Sequence, residues 1–528
     1  MNQDLLNNFR DGVEKGRYSV HNIRDAGYPT YADILENEAK DDIEPELEEN
    51  MGQTLNKAVE AIIVAEIVHA GEKLILPEGV SLPQARDLIM RRMEYEEEDV
   101  NISESFDVFP WDGAAALDTI LKRIYGWSPA QSIDMGFFGK QAPQMISIDL
   151  DYDKKMSVPW GQFGLPNISG TVSTGVGNKE GRMVFQISAS VKRKSEPVVQ
   201  RLFAELRQYI VGGGSIYQGK AIKIRFRDDK GATLRMPEPK FMRTDDVDQS
   251  QLVYSRDVQA SIETNLFTPI RRVLDLQANG IPVKRGVLLG GKYGTGKTLA
   301  AKVAAKLAVQ NGITFIYVSR ADELADAIGF AKQYQSPASV VFCEDIDRAM
   351  NGDRSVEMDD ILNIIDGIDS KNANIMVVLT TNFLNNINAA MLRPGRLDAV
   401  IDVKAPDAEA VQRLLRVYGG TAIDICEDLT EVGEVLEGHI PAVIAEVVKR
   451  AKLSQLCLNE PGKPVTNLSS DALLEAATTM SMQLQLLHDA DAGKGGPPPL
   501  EAALASVVKG AVNMESVEKR LSEIESNM

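Results

Sequence analysis

The sequence predicts an α/β protein centred on a doubly wound parallel sheet with a small helical lid. A helical region and an α+β unit precede it, and a helical tail follows. Three observations carry that expectation. An apolar stretch, 286–290, runs into the glycine-rich turn Gly291-Lys292-Tyr293-Gly294-Thr295-Gly296-Lys297-Thr298, and an Ala-rich helical stretch leaves it at Leu299. Short apolar runs of strand length recur at 313–318, 340–343, 375–380 and 399–403, with helix-length intervals between them. Beyond the last of these, residues 407–452 change to amphipathic helical spacing.

A chain of 528 residues is too long for a single core. Composition shifts divide it into an acidic helical region (1–130), an α+β unit (131–245), a large α/β subdomain (246–405), a helical lid (406–465) and a tail (466–528). The net charge of −19 weighs against sequence-independent nucleic-acid binding, which needs clustered Lys and Arg, so nucleic acid is not an expected partner. Cys343, Cys426 and Cys457 are far apart and odd in number, which suits buried thiols in a reducing compartment. The start has no basic segment followed by an apolar one, and no run is long enough to span a bilayer. A cytoplasmic location without membrane contact is expected.

In chain order, 53–70 and 114–125 show helical apolar spacing, interrupted by acidic runs at 36–49 and 94–99 that read as solvated linkers or a docking surface for a basic partner. Phe106, Phe109, Trp111 and Trp127 read as a small core. Strands follow at 145–150, 156–160 and 183–191, then a helix over 196–211 with Ser195 as its N-cap. Gly212-Gly213-Gly214 stops that helix, and 215–226 reads as another strand of a unit ending near Lys240. A polar connector, 243–249, leads to a helix over 257–278. After the lid come helical stretches at 469–488 and 500–528, joined by a Gly/Pro linker at 493–499.

The spacing from Gly291 to Thr298 is that of a phosphate-binding loop. Glycines let backbone N–H groups turn toward phosphate oxygens at a helix N-terminus, Lys297 can reach the β- and γ-phosphates, and the Thr298 hydroxyl suits Mg²⁺. The run 340–343 ends in Glu344-Asp345, where one carboxylate can hold the metal shell and its neighbour can polarise a water. The run 375–380 leads to Asn382, whose amide could orient that water, and Arg393 and Arg396 flank a rigid Pro-Gly turn suited to phosphoryl charge.

Taken together, GKYGTGKT, VVFCEDID, IIDGI, TTN, LRPGRLD and GHIPAVI, in that order over about 250–455, resemble the AAA ATPase family in the narrow sense, within the AAA+ superfamily. The resemblance implies ATP and Mg²⁺ as cofactors, with Gly291, Tyr293, Gly294, Thr295, Gly296, Lys297, Thr298, Leu299, Gly438 and Ala442 around the nucleotide and Thr298 and Glu344 on the metal side. It implies Glu344, Asp345 and Asn382 as catalytic groups, and Arg393 and Arg396 as fingers on the next subunit's nucleotide in a homo-oligomeric, hexameric ring. Asp366-Gly367 would lie in the inter-subunit signalling segment, and Tyr418 falls where the family often places an adenine-side ring. Two departures narrow the expectation. The acidic pair is inverted relative to the usual Asp-Glu, as in the clade of the mitochondrial Rieske-protein translocase, which leaves an active but slow ATPase. At the pore position Ala327-Ile328-Gly329 replaces the aromatic loop, and Phe330 is expected to pack. The chain is therefore expected to be an ATP-hydrolysing ring that remodels, disassembles or translocates a protein substrate engaged through residues 1–245. A DNA-handling ATPase and an ATP-gated scaffold with little hydrolysis are the competing readings.

Overall fold

A computed structural model describes residues 18–22, 68–70, 73–77, 79–134, 136–346, 373–384, 397–459 and 463–491. Residues 53–67 of the helix expected at 53–70, Asp366-Gly367, both arginines (Arg393 and Arg396) and the stretch 492–528 lie outside those residues. Strands β1 (Tyr18–Asn22), β2 (Val68–Ala70) and β3 (Lys73–Pro77) form a small antiparallel sheet in the order β1-β3-β2. Residues 68–70 are thus strand, not the end of a helix.

Helix α1 (Leu82–Glu97) starts at Ser81, whose backbone N–H donates to the Gln84 side chain at 3.1 Å. Next come β4 (Asp99–Phe106) and α2 (Pro110–Tyr125). Proline at its first position and left-handed Gly126 at its end delimit α2. After the hairpin of β5 (Ile133–Asp134) and β6 (Lys140–Gln141), the long strands β7 (Gln144–Asp151), β8 (Lys154–Phe163), β9 (Gly170–Lys179) and β10 (Arg182–Lys192) meander. Together with β4 they make a five-stranded antiparallel sheet, ordered β4-β10-β9-β8-β7. Helices α2 and α3 (Glu196–Val211) cover one face, burying Leu117, Ile120, Leu121, Leu202, Phe203 and Leu206 against Val158, Val172, Phe185 and Ile187. The approach is close: a Cβ on Gly113 would lie 2.1 Å from the Phe185 ring.

The α+β unit therefore takes in β4 and α2 and does not begin at 131. The strand signal of β4 is interrupted by Glu104, a carboxylate on the face that otherwise carries Val100, Ile102 and Phe106. Phe106 and Phe109 are buried in different cores, Trp111 lies 4.9 Å from Trp160, and Trp127 is exposed, so the four aromatics do not form one cluster. Ser195 stands at the α3 N-cap position without a capping bond; its hydroxyl accepts from Ser169 N–H instead.

The unit also ends earlier than expected. Only β11 (Ala221–Lys223) is strand within 215–226, and it pairs with the nucleotide sheet. That sheet contains β11, β12 (Lys240–Phe241), β13 (Arg285–Gly290), β14 (Thr314–Val318), β15 (Ser339–Cys343), β16 (Ile375–Thr381) and β17 (Ala399–Asp402), in the order β12-β11-β14-β15-β16-β13-β17. Every pairing is parallel except that of β11 with β12. The central strands are buried on both faces, as helical crossovers dictate. Val287, Leu289, Val340 and Phe342 meet the helix α4 (Lys297–Gln310) and the broken helical segment 256–278; Leu288, Val341, Cys343 and Leu379 meet α5 (Leu324–Gln333). The connector 243–249 lies inside this unit, with Val247 in its core.

Helices α6 (Ala408–Gly419), α7 (Thr430–Leu436), α8 (Pro441–Leu458) and α9 (Ser470–Asp491) build the lid around Leu414, Leu415, Leu436, Ile444 and Val447. Leu468, Leu473 and Ala477 are buried in the same core, so α9 is a lid helix and not part of a separate tail. Of the cysteines only Cys343 is buried; Cys426 and Cys457 are exposed, which corrects the expectation of three buried thiols. No helix among the described residues is long and apolar enough to cross a membrane.

Candidate functional site

The carboxyl ends of β13, β15 and β16 meet the N-terminus of α4 and the lid at a cleft of about 500 Å³. Its lining includes Tyr293, Gly294, Thr295, Gly296, Lys297, Thr298 and Leu299 from the loop, Glu344 and Asp345 after β15, Asn382 after β16, and Leu414, Tyr418, Pro441 and Ala442 from the lid. The other lining residues, 251–254, include Tyr254, whose hydroxyl donates to Gly296 O at 3.0 Å; burial pushes its pKa up and keeps it a donor.

The loop's shape depends on its glycines. A Cβ at Gly291 would lie 2.3 Å from the carbonyl oxygen of Val403, and Gly296, at φ 97°, supplies the left-handed residue from which α4 starts. Lys297 is buried, and its ammonium donates to the carbonyls of Gly291 (2.6 Å) and Lys292 (2.9 Å) and to Asn382 Oδ1 (2.9 Å). The first expected nucleotide ligand, Gly291, is near the cleft but not in its lining, and Gly438 is absent from the lining as well. The Gly438 N–H is used on Pro406 O at 3.1 Å, one turn before α8 begins at Pro441.

Strand alternation separates the two acidic side chains. Phe342 faces α4, so Glu344, two residues on, falls on the same side, and Thr298 Oγ1 donates to its Oε1. Its Oε2 accepts from the hydroxyl of Tyr317, whose pKa is raised by burial and by the neighbouring Glu344 carboxylate. Asp345 turns the other way through φ +47°, a left-handed conformation that aspartate tolerates better than most residues. The Thr380 hydroxyl accepts the Asp345 N–H at 2.9 Å, and Asn382 Nδ2 donates to Asp345 Oδ1 at 2.9 Å. One array of hydrogen bonds thus joins Lys297, Asn382 and Asp345, and a second joins Thr298, Glu344 and Tyr317. Adjacent hydroxyl and carboxylate oxygens on Thr298 and Glu344 are the hard donors that Mg²⁺ prefers.

Tyr254 and Tyr317 are the site residues that motif reading missed. Tyr254 has no local signal. Tyr317 has none either: only the register of β14 on β15, which pairs it with Phe342, places it on the Glu344 side. At the other face, Phe330 is buried among Phe109 (5.2 Å), Tyr217 (5.8 Å) and Tyr334 (4.9 Å), within α5 rather than in a loop. Among the described residues no group of three His, Cys, Asp or Glu could hold a metal ion on its own.

Residues 287–405 match the model of the ATPase family associated with various cellular activities (AAA). Similar proteins include an ATP-dependent zinc metalloprotease FtsH of Lachnoclostridium phytofermentans, 28% identical over 40% of this chain and 36% of its own length. A 26S proteasome regulatory subunit 8 homolog of Schizosaccharomyces pombe is 30% identical over 36% of this chain and 51% of its own. Proteasome-activating nucleotidase 2 of Halobacterium salinarum is 30% identical over 31% and 43%. The chain spans about a third to a half of the length of these relatives. The chain therefore carries an AAA ATPase domain.

Proposed function

We propose that this AAA domain makes the chain an Mg²⁺-dependent ATPase that works in a homo-oligomeric, hexameric ring and remodels, disassembles or translocates a protein substrate engaged through its N-terminal half. The observation that carries the hydrolytic part is the separation of the two carboxylates, Glu344 bonded to Thr298 and Asp345 bonded to Asn382. Bound Mg²⁺ would neutralise charge on the β- and γ-phosphates. Thr298 and Glu344 would hold its shell, and Lys297 would bind the β- and γ-phosphates from the mouth of the loop. Asp345 would accept a proton from water held by the Asn382 amide. An aspartate reaches one methylene less far than the usual glutamate, which favours slow turnover.

One observation bears on assembly, and two on the substrate and how it is handled. No arginine is among the described residues that line the cleft; Arg393 and Arg396 are the proposed source of a guanidinium for phosphoryl charge, acting on the neighbour's nucleotide. The relatives named above for proteasomal and FtsH functions support a protein substrate over DNA. Phe330 is unavailable as a gripping side chain while it is buried, which favours remodelling by movement of whole subdomains over threading by aromatic paddles. The test measures phosphate release and particle mass with and without ATP, for the wild type and Lys297→Ala. The expected outcome is ATP-dependent assembly with hydrolysis that Lys297→Ala abolishes. Equal phosphate release from both proteins would refute the reading.

A further inference from the structure

The Tyr317 ring is held from several sides. Lys223, Tyr317 and Phe342 are register partners across β11, β14 and β15, so they project side by side toward α4. The rings of Tyr317 and Phe342 are parallel within 3° at 6.0 Å, and Lys223 Nζ lies 5.2 Å from the Tyr317 centroid. Phe342 is fully buried and Tyr317 nearly so, which fixes the ring and leaves the hydroxyl aimed at Glu344 Oε2. The Glu344 N–H is held on Val318 O at 3.1 Å, but that does not fix its side chain. It has one more rotatable bond than an aspartate at the same strand end, and an unanchored glutamate there would spread over several rotamers.

We propose that Tyr317 is a positioning residue for Glu344: it takes one carboxylate oxygen so that the other faces Thr298 and the metal side of the nucleotide. The proposal rests on the ATPase reading above. It gives the inverted acidic pair a physical basis, because the longer side chain on the metal side comes with a fixed donor that uses up its extra reach. A hydrogen bond from a neutral phenol to a carboxylate is charge-assisted and directional, which suits it to this task. Lys223 ties the arrangement to β11, the strand that leads in from the N-terminal unit.

The test is a magnesium titration of the affinity for a fluorescent ATP analogue. It compares the wild type, Tyr317→Phe, Glu344→Asp and the double variant. Phenylalanine keeps the ring stack, so the fold is preserved while the donor is lost. Each protein's magnesium midpoint is read against its own binding without magnesium. In Tyr317→Phe the magnesium midpoint should rise about tenfold, the loss expected for one hydrogen bond to a charged group. In the Glu344→Asp background the same substitution should move the midpoint less than twofold, because the shorter carboxylate falls short of the phenol. Equal shifts in both backgrounds, or no shift in either, would overturn the proposal while leaving the ATPase reading intact. A wild type whose binding ignores magnesium would overturn both.

Discussion

Phe330→Ala tests the claim that the pore-position helix is fastened to the N-terminal unit. The side chain is 3% exposed, and its ring sits within 6 Å of three others, one of them Phe109 from the segment joining β4 to α2. Removing a buried phenylalanine costs about 3–5 kcal/mol, the upper part of that range applying where neighbours cannot close the cavity. Closure is restricted here, since the Tyr334 hydroxyl is held by the Phe109 N–H at 2.9 Å. The chain's three tryptophans, Trp111, Trp127 and Trp160, all lie in the α+β unit. Their emission therefore reports that unit, while a fluorescent nucleotide reports the cleft. In urea titrations the tryptophan transition should move to lower denaturant by an amount equivalent to about 3–5 kcal/mol, and nucleotide binding in buffer should persist. A loss below about 1 kcal/mol, the scale of exposed substitutions, would mean that Phe330 is not a packing residue and would return it to the pore.

Asp345→Asn keeps an oxygen for the Asn382 amide and removes the base. ATP affinity should hold within a few-fold while hydrolysis falls about 10²- to 10⁴-fold, and a loss of binding instead would assign Asp345 to nucleotide contact. Such a variant held with ATP is also the bait for whatever the N-terminal half engages. Asp112 gives a pH prediction. Burial raises its pKa to about 6, against the opposing hydrogen bonds of Ser215, the Ile216 N–H and Tyr334. The folded state keeps its proton longer than the unfolded state does, so stability falls as pH rises from about 4 to about 6 and levels off above that. The full shift is worth about 3 kcal/mol, of which about 1 kcal/mol falls between pH 5 and pH 7. Unfolding titrations of the wild type and Asp112→Asn across that interval should converge or cross in that direction; parallel profiles would refute the assignment.

The nucleotide module was legible because its signals are local. A phosphate loop needs its glycines and Lys297 at fixed spacing, and strands buried on both faces leave continuous apolar runs, so β13 to β17 fall within a residue or two of expectation. What escaped was long-range. The pairing of β11 with β14 joins residues about ninety apart, and no composition shift marks it, so the sequence alone groups 221–223 with the α+β unit. Asp99 of β4 belongs to the acidic run 94–99 and Glu104 interrupts the alternation after it, so the strand is evident only once β10 supplies a partner. Tyr317 is one apolar-run residue among five, and only the register of β14 on β15 gives its hydroxyl a carboxylate.

That β11 pairing has a mechanical consequence for the proposed ring. A flexible connector would let the N-terminal unit swing freely, but here the connector is a strand of the nucleotide sheet. The α+β unit is bound to it on either side by Lys220 to Asp151 (2.8 Å) and Lys240 to Asp149 (3.4 Å). Asp112 accepts the Ile216 N–H at 2.8 Å, and Gln333 on α5 donates to Met183 O at 2.8 Å near the start of β10. The exposed ion pairs add little individually, but the buried carboxylate and the aromatic seam are costly to break. A displacement of α5 during hydrolysis would then carry the α+β unit with it as one body. Motion delivered to a whole domain suits prising open or releasing a folded partner better than pulling on an extended chain. Weakening the seam with Phe330→Ala should accordingly uncouple hydrolysis from substrate remodelling before it slows hydrolysis itself.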